Sequence, residues 1–419
     1  MSQAQSPLWS GDIPDLDRLR AVARDIADSV LRTPLWRNEV LSDELGAQVS
    51  LKMENLQRTG SFKVRGATNV LRRLLETRTD LPGVVALSAG NHAQGVARAA
   101  SRVGIAATVV MPLSAPLTKI ESCRRMGAEV VLSGETIEQA KLEADRIAEE
   151  RGYAFLHPYD DWNVIAGQAS CGIEMLEDCP QMSVAIVPLG GGGLLSGIAL
   201  ALKLQRPDIR VIGVQAENVS PFRSFLKDGT YAAVAAGAHT IADGIKVKAP
   251  GRLSSAVIAR YVDEIVTVDD NAIAEAIVAT LERTRTISEG AGAVGLAALM
   301  HGKVKLSSED HAVVVVSGGN VDMPLVGRSI DYGLASSGRL MSVGVTIPDS
   351  PGHLLNLLRN VAALGINVRH VEHRRGELHV PVGQCEVVLE VETRNLAHQQ
   401  ELLTQFAEQE GKVRCLFGD

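Results

Sequence analysis

The chain has 419 residues, enough for two or three domains, and its 46% hydrophobic and 22% charged content allows a sizeable buried core. A net charge of −7 with only 3% aromatics supplies neither the basic excess that phosphate backbones require nor platforms for stacking bases, which excludes nucleic acid as an expected partner. No apolar run reaches the about 18 residues of a membrane span, so no membrane partner is expected either.

The five cysteines, Cys123, Cys171, Cys179, Cys385 and Cys415, are scattered and form no CxxC pair. They read as reduced thiols of a cytoplasmic protein. Met1 to Asp12 lacks the basic-then-apolar order of a secretory signal and reads as a frayed tail.

Leu16, Leu19, Val22, Ile26 and Val30 recur at helical spacing, which predicts a helix from Pro14 to Arg32. Thr33-Pro34 stops it, because a residue before proline is pushed away from helical angles. Val49 to Met53 is a short strand candidate. Gly60-Ser61-Phe62-Lys63-Val64-Arg65-Gly66-Ala67 follows as a loop running into a helix that continues to about Glu76. Strands are then expected at 83–87, 107–111, 129–132 and 154–156, alternating with helices near 93–103, 119–126 and 137–151. After Cys179-Pro180 the pattern resumes with strands at 183–189, 211–215, 264–268 and 312–316 and helices at 194–204 and 271–284. Residues 216–255 are less regular. This rhythm implies α/β architecture with parallel sheets covered by helices.

The grammar changes at Arg339. Strand, helix, strand, strand, helix, strand is the order expected over 339–419, a ferredoxin-like α+β unit. Ser350 and Pro351 are expected to cap and open its first helix, and Gly365 to end it. The expected domains are therefore 1–338, with a smaller lobe near 50–160, and 339–419.

Four elements of the first domain carry chemistry. Lys63 stands between Phe62 and small residues, where an amine is kept partly neutral and nucleophilic. Gly190-Gly191-Gly192-Gly193-Leu194 lies between a strand and a helix, where successive amides can face one anion at the positive helix end. No Gly-Lys-Ser/Thr follows, and Leu195 breaks GxGxxG, which disfavours a nicotinamide oxidoreductase. Ser88-Ala89-Gly90-Asn91-His92 ends another strand, where open α/β sheets bind ligands. Ser317-Gly318-Gly319-Asn320 ends the last strand of the domain and offers a hydroxyl to a ring nitrogen.

In this order, and with Arg32-Thr33-Pro34-Leu35, Thr240-Ile241-Ala242-Asp243-Gly244 and Glu289-Gly290-Ala291-Gly292-Ala293, these segments resemble the threonine dehydratases (threonine ammonia-lyases). Those belong to the two-lobed, tryptophan-synthase-β-like (fold type II) enzymes that use pyridoxal 5′-phosphate. The resemblance implies that Lys63 holds the cofactor as a Schiff base and later acts as general base. It places Phe62 against the ring, Asn91 at its phenolic oxygen, Gly190, Gly191, Gly192, Gly193 and Leu194 at the phosphate, and Ser317 at the pyridine nitrogen. Ser88, Ala89, Gly90, Asn91 and His92 would receive the substrate, His92 in a positioning role at most.

The implied reaction is dehydration and deamination of L-threonine to 2-oxobutanoate and ammonia, and of L-serine to pyruvate. Similar serine racemases carry a second hydroxyl where this chain has Ala89, so elimination is expected over racemisation. A 3-hydroxyaspartate ammonia-lyase and a non-catalytic amino-acid sensor are the alternatives. Glu217 matches a cation ligand of relatives, and a monovalent ion is the expected occupant. The C-terminal unit resembles an ACT domain, with Asp349, Pro351, Gly352 and Leu354 at the turn that often takes an amino-acid effector. A homodimer or homotetramer is implied.

Overall fold

The computed structural model describes residues 13–376, 378–409 and 412–417. The tail expected at residues 1–12 lies outside them. The chain divides into two compact units between Val321 and Asp322. The boundary expected at 338 lies one helix further on, since Met323–Ser336 belongs to the second unit.

The first unit holds two parallel sheets. One has six strands in the order Leu35–Arg37, Gln48–Lys52, His311–Val315, Val184–Pro188, Arg210–Ala216 and Glu264–Val268, with only the first pair antiparallel. The other has four, in the order Glu129–Leu132, Ala106–Met111, Gly83–Leu87 and Ala154–Phe155. Val184–Pro188 is buried along its whole length. That explains why it reads as a continuous apolar run rather than an alternating one.

Where helices have one wet face, periodicity locates them. Leu16–Ile26 buries Leu19, Val22 and Ile26, and Asp15 accepts its capping bond from the Arg18 amide at 2.9 Å. The helix stops six residues short of Arg32. Ser29 and Val30 both donate back to the Ile26 carbonyl, and Arg72 and Arg102 hold the Ser29 hydroxyl in the turn that results.

Trp162–Asp178 and Gly290–Met300 gave no periodic signal because they are buried nearly all round. Trp162–Asp178 braces two other helices, Lys63–Thr77 and Gly193–Lys203. Small residues permit the close approach: a Cβ on Gly167 would lie 2.7 Å from the Arg65 carbonyl oxygen, and one on Gly197 2.5 Å from that of Ile165. The brace fixes the helix that begins at Lys63 against the helix that begins at the glycine loop.

The second unit has four antiparallel strands in the order Asn367–Arg374, Gln384–Glu392, Leu340–Pro348 and Val413–Phe417. Helices His353–Ala363 and Leu396–Gln409 complete the ferredoxin-like order. Met341, Val343, Val345, Ile347, Val387, Leu389, Leu357, Leu402 and Phe406 form its core. Its first helix begins at His353, behind Gly352 at φ +98°, and not at Pro351 behind a Ser350 cap. The left-handed glycine turns the chain after Pro351, so the proline stays outside the helix. Gly365, at φ +70°, follows that helix where a terminating glycine was expected.

Candidate active site

Three expected motifs sit at the carboxyl ends of parallel strands. Leu87 runs into Ser88-Ala89-Gly90, Pro188 into the glycine loop, and Val315 into Ser317-Gly318-Gly319. The last of these is joined to the lysine segment. Phe62 N–H donates to the Ser317 carbonyl at 3.1 Å, Gly319 N–H donates to the Gly60 carbonyl at 2.8 Å, and Ser61 bridges to Gly318.

Lys63 is the first residue of the helix Lys63–Thr77. Its Nζ donates to the Pro158 carbonyl at 2.9 Å and lies 5.2 Å from the Phe62 ring centroid. Burial pushes the amine down to about 8, against the opposing pull of Glu289. Gly95 lies against the Lys63 backbone, where a Cβ would come within 3.1 Å of its carbonyl carbon. That approach brings the helix Asn91–Val103 alongside the lysine.

Asn91 donates from Nδ2 to Glu289 Oε1 at 2.6 Å and accepts from Asn320 Nδ2 at 2.8 Å. Ser88 accepts from the Gly90 amide at 3.1 Å, and Ala89 carries only a methyl group beside it. His92 is buried, with Nε2 3.0 Å from the Leu156 carbonyl oxygen. Burial, then the charge of Lys63, lowers its imidazole to about 3, so it stays neutral. It behaves as a core histidine that fixes the start of its helix.

The glycine loop is tightly enclosed rather than floppy. Gly192, at φ +97°, is the residue before the helix Gly193–Lys203. A Cβ on Gly191 would lie 2.5 Å from the Tyr159 ring. Ser254 Oγ donates to the Gly191 carbonyl at 2.7 Å, and Leu194 is buried behind the loop. The Tyr159 ring against the loop and the Pro158 carbonyl on Lys63 come from adjacent residues, so loop and amine share one neighbourhood.

Two hydroxyls complete it. Ser317 is buried, and its Oγ makes only a long 3.4 Å bond to the Ala291 carbonyl. Ser61 Oγ is buried with no hydrogen-bond partner. A depressed lysine amine, a helix start with close-packed glycines and under-bonded hydroxyls fit the amine-reactive, phosphate-bearing, nitrogen-containing ring of pyridoxal phosphate.

Sequence reasoning missed two residues. Glu289 is enclosed, and burial raises its carboxyl to about 7 despite the bond from Asn91. Its signal was present: it is the only charge between Arg285 and His301. Arg65, wholly buried, bonds Glu54 at 2.8 Å through both Nε and Nη2 and Glu174 at 2.7 and 2.8 Å. Lys52, also buried, joins Glu174 at 2.6 Å. This network anchors the helix two residues beyond Lys63.

Glu217 is not brought to this site's ligands. Its carboxylate is half exposed and held by Arg223 at 2.8 Å, and it joins no group of three His, Cys, Asp or Glu side chains among the described residues. In the second unit Asp349 is held by Arg375, Pro351 is exposed, and Leu354 packs on the unit's own core.

Comparison with known proteins agrees with this geometry. Over 387 residues the chain is 46% identical to an L-threonine ammonia-lyase of Thermotoga maritima, covering 92% of this chain and 96% of that protein. A solved threonine deaminase of tomato, Solanum lycopersicum, superposes with a TM-score of 0.70 at 32% identity, over 79% of this chain and 93% of the other. A maize serine racemase gives 0.72 at 34% identity, over 76% and 97%. Residues 26–318 match the family described as pyridoxal-phosphate dependent enzyme. Lys63 and the groups gathered around it, Gly319 and Asn320 apart, fall inside that match, and the chain belongs to the pyridoxal-phosphate dependent enzyme family.

Proposed function

We propose that the protein is a threonine ammonia-lyase, converting L-threonine to 2-oxobutanoate and ammonia and L-serine to pyruvate. The observation that carries this is the enclosed Lys63 amine, held near neutrality beside the glycine loop, Asn91 and Ser317. Lys63 would hold the cofactor, with Phe62 against its ring and Gly190 to Leu194 on its phosphate. Ser317 would meet the ring nitrogen, and Asn91, here bonded to Glu289, the ring oxygen. When bound, pyridoxal phosphate supplies an electron sink that acidifies the substrate Cα–H bond.

The remaining work falls to the chain. Ser88 and the amides from Ala89 to His92 receive the substrate carboxylate at a strand end and helix start. Lys63 Nζ takes the Cα proton, a task suited to an amine with a pKa of about 8. The β-hydroxyl leaves as water with a proton from solvent, balanced by the one Lys63 gives up, and water then hydrolyses the released enamine to the 2-oxo acid and ammonia. A serine at the ring nitrogen, unlike a carboxylate, does not enforce a protonated ring, which favours rapid loss of the β-substituent. Ala89 offers no acid to the opposite face, which favours elimination over racemisation.

The finer assignments belong to the same reading. The turn Asp349–Leu354 takes an amino-acid effector, the protein is a cytoplasmic homodimer or homotetramer, and the second unit is regulatory. Among the described residues no helix is long and apolar enough to cross a membrane. The test records the visible spectrum of the purified protein and then 2-oxo acid formation from threonine, serine and 3-hydroxyaspartate. A cofactor band lost in Lys63→Ala, with 2-oxobutanoate formed fastest, is expected. A band unchanged by that substitution, or no 2-oxo acid from threonine, refutes the reading.

A further inference from the structure

The second unit gathers three metal-ligating side chains that the catalytic reading leaves unused. Asp349 lies in the turn after the strand Leu340–Pro348, His373 near the end of Asn367–Arg374, and Cys385 at the start of Gln384–Glu392. Register brings them together. Cys385 faces Ile347 across one ladder and His373 faces Val387 across the next. Ile347 and Val387 belong to the core, so both ligands project to the helix-covered face. One ligand atom from each of the three residues lies within 4.8 Å of the other two, and His373 Nε2 is 3.9 Å from Asp349 Oδ1. No other group of three His, Cys, Asp or Glu side chains meets this condition among the described residues.

We propose that Asp349, His373 and Cys385 bind a zinc-class divalent ion. Thiolate, imidazole and carboxylate form a borderline-soft donor set suited to zinc and poor for magnesium or calcium. Tetrahedral bonds of about 2.0–2.3 Å put neighbouring ligand atoms about 3.5 Å apart. The His373–Asp349 pair is close to that spacing already, and the widest separation has to shrink by about 1 Å, within the reach of a side-chain torsion. The thiol proton leaves to solvent as the sulfur–metal bond forms.

Three protein ligands leave a fourth position open to water or to an amine or carboxylate. The site therefore lies at the turn assigned to an effector but is defined by two residues, His373 and Cys385, that the effector reading does not use. Its competitor is Arg375, whose Nε and Nη2 bond the two Asp349 oxygens at 2.8 and 3.0 Å. A carboxylate has about four lone-pair directions, so two remain for a metal. The Arg375 side chain is 61% exposed and free to swing outward.

The test uses the full-length holoenzyme, stripped with chelator, equilibrated with zinc chloride and dialysed. One ion retained per chain is expected, with a thiolate-to-metal absorption band when cobalt(II) replaces zinc. Cys385→Ser should abolish the band, and His373→Gln should weaken retention by at least about 100-fold, more than the loss of an outer partner alone. Arg375→Ala should tighten binding, an effect that adventitious zinc on surface histidines would not give. Circular dichroism checks that each variant folds, and Asp349→Asn replaces Cys385→Ser if the buried cysteine proves essential. No retained ion in folded wild-type protein overturns the proposal. So does retention unchanged by the ligand substitutions, or retention that follows the cofactor rather than Cys385.

Discussion

Lys63 and Glu289 feel each other's charge in the first unit, and burial moves both toward neutrality. The lysine is lowered to about 8 and the glutamate raised to about 7. For the cofactor-free protein, covalent capture of pyridoxal phosphate requires the neutral amine. Its rate should climb as pH rises through about 8 and level off above, as stopped-flow absorbance would read it. Glu289 leaves a stability signature of the opposite sense. Between pH 4.5 and about 7 the folded state holds a proton that the unfolded chain has lost, so stability falls as pH rises across that window. At about 1.4 kcal/mol per unit the shift corresponds to about 3 kcal/mol. Cofactor-free Glu289→Gln should therefore exceed wild type in urea stability by up to about 3 kcal/mol above pH 7, the gap closing toward pH 5. Ala89→Ser should restore an acid to the second face. Chiral chromatography should then show D-serine accumulating at least about 100-fold faster than with wild type, the lower end of one acid–base contribution. At this scale the sequence was legible where a residue type is rare for its setting, as with a lysine between Phe62 and glycines. For Glu289 it showed a lone charge in an apolar run but not its partner, because the asparagine that bonds it lies 198 positions away.

Among the elements, the helices that bear the lysine and the glycine loop keep their relative positions through the buried helix Trp162–Asp178. Arg65 reinforces this from inside. Burial alone would raise the Glu54 carboxyl, but Arg65 outweighs it and holds the group below its ordinary value. Arg65→Met leaves Glu54 without its ion-pair partner and Glu174 with Lys52 alone, and should lower stability by about 3–5 kcal/mol, read as a shift in the urea midpoint. Gly191→Ala drives a methyl into the Tyr159 ring. Overpacking of about 1–3 kcal/mol should weaken pyridoxal phosphate binding about 5- to 150-fold while leaving the Lys63 chemistry intact, a difference that fluorescence titration resolves. Amphipathic helices were readable because one face is wet and the other dry, and strands such as Val184–Pro188 because they are short continuous apolar runs. Trp162–Asp178 and Gly290–Met300 were not, because a helix wrapped on all sides has no polar stripe.

For the whole molecule, the division between Val321 and Asp322 separates the cofactor site from the unit carrying Asp349, His373 and Cys385. A chain ending at Val321 should keep its visible cofactor band and threonine turnover but lose any response to isoleucine or valine. Steady-state assays of the two lengths side by side would show it. The β-α-β-β-α-β order of the second unit was legible from its alternating periods, whereas its boundary was not. The expected boundary at 338 left the helix Met323–Ser336 in the first domain, whereas it belongs to the second unit. The clip between Gly60–Phe62 and Ser317–Gly319 has a temporal meaning as well. The two halves of the clip are made far apart in time, since Lys63 is synthesised roughly 250 residues before its partner strand end, and such non-local pairing closes late. A growing chain thus carries its reactive lysine long before that lysine has a pocket. On the role proposed for Lys63, cofactor loading is tied to completion of the first unit, and a chain stalled before residue 317 should fail to assemble the site.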